Sequence, residues 1–372
     1  MEVFSMKKIL FLIHDLGHGG AEKVLVNLVN NMDPQKFDIT VIALFGGGVN
    51  EQFLKPYIRF RSVFPKAFPG NSHLMKLFSP EMLHRWFIRE QYDVEVAYLE
   101  GPAARIVSGC PHPDTKLASW IHCTMHNSKE VAVGFRNIKE ALACYDCMDA
   151  MVFVARTVCE AFLQQAPYHG RSFVKYNTNE SDKIIQMALE SASLPGEGLH
   201  WCGVGKVTEN KGFDRMIRIQ AKLKEAGIHS QLCIMGDGPQ RAELEALAQT
   251  CGVSDLVTFL GYQTNPYKYV AACDLFVCAS HSEGFSTAAT ESLIVGTPVC
   301  TVEVSGMKEM LGENNEWGVV TDNDEEALYQ GIKNLLDDPK LLAHYKEKAA
   351  ERGRMFSTEN TVKAVEDMLL SL

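Results

Sequence analysis

Long apolar runs are missing from this chain. The longest, such as 9–13 and 150–155, stop after five or six residues, far short of the roughly 18 that a membrane-crossing helix requires. A transmembrane enzyme is therefore excluded. Low-complexity tracts and short-period repeats are missing too, which sets aside solenoids and disordered regulators. The apolar stretch near the start follows Lys7 and Lys8, but His14 and Asp15 interrupt it and no small-residue cleavage site follows. No signal peptide is expected, and the expected location is cytoplasmic. A disulfide framework is not indicated either, because the eleven cysteines are an odd number in a long chain without a secretion signal. Cys202, Cys233, Cys278 and Cys300 sit in apolar contexts where thiols act as small hydrophobes. Cys144 and Cys147 form a lone C-x-x-C that lacks a second pair, so helical packing is the preferred reading over zinc or redox chemistry.

A basic balance is also lacking. Thirty-six Lys and Arg stand against 46 Asp and Glu, a net charge of −10, and no nucleic-acid motif is present. Nucleic acid is thus a poor partner. The charge is uneven: residues 1–190 carry 20 basic and 20 acidic side chains, so all of the −10 falls in residues 191–372. Within the neutral half, residues 55–89 hold Lys55, Arg59, Arg61, Lys66, Lys76, Arg85 and Arg89 against Glu81 alone, a local +6. Tyr57, Phe60, Phe64, Phe68, Phe78, Trp86 and Phe87 are interleaved with those cations. Such a composition fits a surface resting on anionic lipid. It fits equally a set of core helices with solvated basic faces.

What is present is an alternation of strand-length apolar runs with helical-period segments across 372 residues, the pattern of βαβ units and parallel sheets. The first half predicts strands at 8–14, 37–44, 93–99, 116–122, 150–155 and 173–178, with a helix at 21–31. The second predicts strands at 200–206, 231–236, 257–262, 275–280, 298–302 and 318–321, with helices at 211–226, 241–250 and 287–295. Pro and Gly cluster between these sets at 193–198, which reads as a linker. The expected division is a Rossmann-like domain over 1–192, the linker 193–198, a second Rossmann-like domain over 199–354, and a terminal helix at 355–372. Val362, Val365, Leu369 and Leu372 share one face of that last helix.

In open α/β sheets ligands bind beyond the carboxyl ends of the strands, so strand-to-helix loops are where chemistry is sought. The first such loop holds Gly17, Gly19 and Gly20, but Glu22 occupies the place of the third glycine in a G-x-G-x-x-G fingerprint. Hydride transfer is accordingly disfavoured. The loop reads either as an anion site at a helix N-terminus or as a tight turn only. In the second half, Lys206 and Lys211 bracket a strand-to-helix loop without Walker spacing. The pair is either a phosphate clamp or two solvated lysines. Further on, Glu283 and Glu291 lie eight apart around Gly284, Phe285, Ser286 and Thr287 at a helix start. Singly, either glutamate reads as a dipole partner or cap; together they can flank an anion and accept bonds from a polyol.

Taken in order, these segments carry a resemblance. GVGKVTENKGFDRMI at 203–217, IMGDGPQRAEL at 234–244, VTFLGY at 257–262 and EGFSTAATESLIVGTPV at 283–299, preceded by HDLGHGGAEKVLVNL at 14–28, resemble glycosyltransferase family 4, retaining nucleotide-sugar transferases of GT-B fold. The likeness is strongest from Gly203 to Val320, and Lys206 stands where the family often has Arg. The resemblance implies two Rossmann-like domains facing each other across a cleft, with the terminal helix crossing back to the first. It implies a metal-independent hexosyltransferase that passes a sugar, expected to come from a UDP-sugar, to a saccharide or lipid-linked acceptor in cell-surface polysaccharide or glycolipid synthesis. The nucleotide sugar is a co-substrate, and no cofactor is expected. Glu291 would bind the ribose, and Glu283 the donor sugar. The backbone of Gly284 to Thr287 would contact sugar or phosphate. Lys206 and Lys211 would bind the diphosphate, aided by the N–H groups of Gly19 and Gly20. The base would lie near Tyr262, and His122 would line the sugar site. His122 and His126 have i, i+4 spacing but no neighbouring carboxylate, so a metal is not expected. Two other readings share these features: a nucleotide-sugar epimerase of the same architecture, and a non-catalytic sugar-nucleotide-binding subunit.

Overall fold

The structure, a computed structural model, describes residues 6–17, 19–304 and 306–372. The chain divides into two compact units, one running to Asn179 and taking back Thr358–Leu372, the other spanning Glu180–Ser357.

The N-terminal unit is built on seven strands: β1 Lys7–Ile13, β2 Phe37–Phe45, β3 Arg59–Phe64, β4 Val94–Tyr98, β5 Lys116–Ile121, β6 Ala150–Phe153 and β7 Arg171–Val174. They form one sheet in the order β3-β2-β1-β4-β5-β6-β7, and every pairing is parallel. Parallel strands need crossovers, which the intervening helices supply. Ile9 to Ile13 and Val94 to Tyr98 are buried throughout, as central strands covered on both faces must be. One polar residue interrupts that core. Glu95 is fully buried, accepts from His84 Nε2 at 2.8 Å, and lies 3.6 Å from Cys110 Sγ. The pair ties the Pro80–Phe87 helix to β4. Pro80 at the first helical position and Ser79, whose Oγ accepts from Met82 N, start that helix.

The C-terminal unit carries β8 Leu199–Val204, β9 Ser230–Met235, β10 Val257–Gly261, β11 Leu275–Cys278, β12 Val299–Val302 and β13 Val319–Thr321. Their order is β10-β9-β8-β11-β12-β13, again parallel. Both sheets thus reverse direction beside their first strand, between β1 and β4 and between β8 and β11. These reversals are the topological switch points of two doubly wound α/β units.

Three sequence expectations change. Residues 59–64, outside the expected strands, form the edge strand β3 in parallel register with Thr40 to Phe45. The last strand of the first unit covers Arg171–Val174, earlier than 173–178. The division falls at Asn179, ahead of the Pro/Gly cluster at 193–198. The reason is local: the Ser181–Ala188 helix packs on the second unit, burying Ile184 and lending the Met187 carbonyl to Asn265 Nδ2 at 2.9 Å. The Pro/Gly cluster is a turn inside that unit, with Gly196 and Gly198 at positive φ. The terminal helix Thr358–Ser371 belongs to the first unit. Its Val362, Val365, Met368 and Leu369 are buried, and its Glu366 accepts from Asp33 N at 2.7 Å. Among the described residues no helix is long and apolar enough to cross a membrane.

Candidate active site

The switch point of the C-terminal unit gathers several of the sequence candidates. The loop after β8 ends at Gly212, where the Phe213–Glu225 helix begins, and the loop after β11 leads into the Thr287–Val295 helix. Hydrogen bonds join these loops: His281 N donates to Asn210 O at 2.7 Å, and Asn210 Nδ2 to Ser282 O at 2.9 Å. Arg215 Nη2 meets His281 Nδ1 at 2.7 Å from the helix side. Gly212 is needed here. Its φ is +65°, and an added Cβ would stand 2.1 Å from the Ala279 carbonyl oxygen.

Across this junction Lys211 Nζ pairs with Glu283 Oε1 at 2.6 Å, and Ser280 Oγ donates to the same oxygen at 2.7 Å. Lys211, Ser280, Glu283 and Ser286 line a shallow concavity that opens to solvent. A second shallow concavity contains Glu291 and Tyr267, whose hydroxyl donates to Glu291 Oε1 at 3.1 Å; Val204 lines both hollows. Ser286 caps the nine-residue Thr287–Val295 helix by accepting from Ala289 N, and its carbonyl takes the Thr290 hydroxyl. The helix N-terminus, with its favourable dipole end, therefore opens beside Glu283. Gly284 and Thr287 are partly exposed on that turn, while Phe285 turns inward and packs its ring against Phe356.

Two expected members stand apart. Lys206 is exposed and makes no ion pair among the described residues. Tyr262 follows the end of β10, is 77% exposed and lines neither concavity.

In the N-terminal unit the loop after β1 differs from the expected anion site. Gly19 caps the Gly20–Asn31 helix, and the Glu22 carboxylate folds back over it, so that a Cβ on Gly19 would lie 1.9 Å from Glu22 Oε2. This helix start is served by its own acid. Burial, reinforced by the charge of Asp15, raises the Glu22 carboxyl above the ordinary range. Asp15 itself accepts from Gly17 N at 2.7 Å and contacts His14 Nδ1 at 2.6 Å. Glu100, just beyond β4, accepts from His122 N at 3.0 Å. The His122 ring lies among Tyr98 and Trp120, and burial pushes its pKa down to about 3, so it is neutral in ordinary conditions. His122 Nε2, Tyr98 Oη and Trp120 Nε1 are buried polar atoms without a partner among the described residues. Buried polar atoms are normally paired, so these are atoms that a water or a ligand hydroxyl would satisfy.

Sequence reasoning missed Asp15, Glu22 and Glu100 as candidates. Asp15 and Glu100 lie just past the carboxyl end of a central strand and Glu22 sits in the first turn of the helix that follows β1, and those positions were the available signal. His126 is exposed and does not join His122 in a donor group. The metal-type donor group among the described residues is His84, Glu95 and Cys110, at the opposite end of β4 from these loops.

Residues 192–352 match the sequence model of the family described as glycosyl transferases group 1. Over 374 aligned residues the chain is 28% identical to the N-acetylgalactosamine-N,N'-diacetylbacillosaminyl-diphospho-undecaprenol 4-alpha-N-acetylgalactosaminyltransferase of Campylobacter jejuni, spanning 98% of this chain and 99% of that one. Among solved structures it resembles HepE of Anabaena, crystallised in complex with UDP, with a TM-score of 0.76 at 18% identity over 98% of this chain and 100% of that one. It also resembles the sucrose-phosphate synthase of Thermosynechococcus elongatus, with a TM-score of 0.77 at 17% identity over 98% and 99%. With two doubly wound units the chain has the GT-B fold, and its second unit carries the match to the glycosyl transferases group 1 model.

Proposed function

We propose that this chain is a retaining, metal-independent transferase that moves a sugar from a UDP-sugar to a lipid-linked or saccharide acceptor. The observation that carries the reading is the Lys211–Glu283 pair at the β8/β11 switch point, with Glu291 and Tyr267 in the adjoining hollow. HepE binds UDP by its description, and the Campylobacter relative acts by its name on a diphospho-undecaprenol-linked glycan. Both facts support the choice of donor and acceptor class here.

In this reading Lys211 holds the diphosphate. Its ammonium has three donors and already spends one on Glu283, so a phosphate oxygen can share it without Lys211 leaving its place. Glu283 then faces the hydroxyls of the donor sugar and Glu291 the ribose. The Thr287–Val295 helix start, through the backbone of Gly284, Phe285, Ser286 and Thr287, adds N–H donors to sugar or phosphate. Lys206, exposed on the same loop, reaches the outer phosphate, and Tyr262 marks the side from which the base approaches. As the bond from the anomeric carbon to the phosphate oxygen breaks, negative charge grows on the diphosphate. A fixed cation and helix N-terminus aimed at that charge are worth several kcal/mol in a site poor in water. The acceptor oxygen bonds to the anomeric carbon on the face the phosphate leaves, and its proton passes to the departing phosphate. Configuration is thereby retained. The unpaired Nε2 of neutral His122 offers a hydrogen bond to a sugar hydroxyl rather than acid catalysis.

We place the enzyme in the cytoplasm, where its eleven cysteines would stay reduced. The test is a panel of UDP- and GDP-sugars incubated with and without a bacterial lipid extract. Release of UDP that depends on the extract is expected. Interconversion of the sugar nucleotide without any acceptor would point to an epimerase instead, and binding without turnover to a silent subunit.

A further inference from the structure

One stretch of the N-terminal unit exposes more large apolar side chains than a solvated surface needs. Leu77 is 73% exposed, and Leu74, Met82 and Trp86 are each between 44% and 46% exposed. They adjoin one another. Leu77 N donates to Leu74 O, Phe78 stacks edge-on against Trp86 at 4.9 Å, and Met82 and Trp86 are one turn apart on the Pro80–Phe87 helix. Single exposed hydrophobes need no explanation, but a contiguous set marks an interaction surface.

This protrusion is held rigidly. Arg136 donates to the carbonyls of Lys76, Leu77 and Phe78, and the buried Arg105 donates to those of Met75 and Phe78. Glu140 receives both arginines, at 2.9 Å from Arg105 and 3.6 Å from Arg136. Two guanidiniums and a carboxylate thus fix a short turn whose outward residue is a leucine. Packing alone would not call for that investment.

The charge around it is one-sided. Of the seven cations in 55–89, three are engaged internally: Lys55 with Asn30 O, Arg59 with Asp38 and Glu90, and Arg61 with Phe87 O. The other four, Lys66, Lys76, Arg85 and Arg89, make no ion pair among the described residues, and between residues 65 and 89 Glu81 is the single acid. Meanwhile Phe64, Phe68 and Phe87, also in this aromatic stretch, pack their rings on one another, with Phe87 buried and the other two half-buried. The structure therefore separates a composition that looked uniform into a core part and an outward part.

We infer that Leu74, Leu77, Met82 and Trp86, rimmed by Lys66, Lys76, Arg85 and Arg89, form a surface that docks on an anionic lipid bilayer. Apolar tips enter the interfacial layer while the cations meet lipid phosphates, each cation worth about fivefold in partitioning near such a surface. A chain with net charge −10 would otherwise be repelled. The inference deepens the proposed function by naming how the enzyme reaches a lipid-linked acceptor, and it rests on that reading only for its purpose.

The experiment is flotation of the full chain at low salt, without donor or acceptor, on vesicles of phosphatidylglycerol and phosphatidylethanolamine, with phosphatidylcholine vesicles as control. The wild type is expected to float with the anionic vesicles and to be released by salt. The double variant Leu77→Asp with Trp86→Asp is expected to bind on the order of a hundredfold less well. The triple variant Lys76→Glu, Arg85→Glu, Arg89→Glu should lose a similar amount and its salt dependence too. UDP release with a water-soluble saccharide acceptor, measured on the same variants, should be unchanged, which also reports that they fold. A wild type that ignores anionic vesicles, including one whose patch captures a protein partner instead, overturns the inference, as does undiminished flotation of the double variant. If flotation fails while UDP release persists, the docking surface falls and the proposed function stands; the converse result separates them the other way.

Discussion

The two units share a topology and differ in the charge they place at its switch point. Beyond β1 and β4 the N-terminal unit collects the acids Asp15, Glu22 and Glu100, and the start of its first helix is already met by the Glu22 carboxylate. Beyond β8 and β11 the C-terminal unit sets a lysine, Lys211, against Glu283 beside an open helix N-terminus. The same βαβ scaffold thus lines one switch point with acids and the other with a lysine and an open helix start. A fold alone does not make an anion site; the side chain that reaches the helix start decides it.

The comparison breaks most readily at Lys211. Lys211→Ala should lower turnover by about a hundredfold or more while leaving thermal stability near wild type, because the ammonium acts on charge that develops in the transition state. Initial rates with saturating donor, beside a melting curve, check this. Next in size is Glu291→Gln, which keeps a partner for Tyr267 but removes a charged acceptor. The donor KM should rise about tenfold with a smaller change in kcat. In the other unit Glu22→Gln should leave donor binding alone and alter the acceptor KM by a few fold, read from initial rates at varied acceptor.

A separate effect concerns pH. His122 has a folded pKa near 3 against 6.5 as its ordinary value. Since the unfolded chain takes up a proton there before the folded one does, the contribution of His122 to stability is complete above about pH 6.5. It is lost as pH falls toward about 3. Denaturant unfolding at stepped pH should show that slope, and His122→Phe should flatten it.

Much of this architecture was legible from pattern. Strands buried on both faces, such as Ile9 to Ile13, read as continuous apolar runs, and Glu283 and Glu291 stood out by spacing and position at a helix start. What escaped depends on neighbours in space. β3 was hidden because this edge strand is only half-buried and carries Arg59, Arg61 and Ser62, so it shows no continuous apolar run. The division at Asn179 was hidden because the packing of the Ser181–Ala188 helix, rather than a Pro/Gly turn, assigns that segment to the second unit. Gly19 and Gly20 suggested an anion site, yet the residue three positions past Gly19 bends back to fill it. Likewise nothing in the order of residues shows that Arg105 and Arg136 both fasten the turn that carries Leu77 outward.

The central claim is that phosphate recognition belongs to the C-terminal unit, through Lys211. Titration calorimetry of UDP into the wild type, Lys211→Ala and Glu22→Ala tests it most directly. The account predicts that Lys211→Ala weakens UDP binding by at least about tenfold, whereas Glu22→Ala binds UDP as the wild type does. Equal losses in the two variants, or a loss confined to Glu22→Ala, would contradict it.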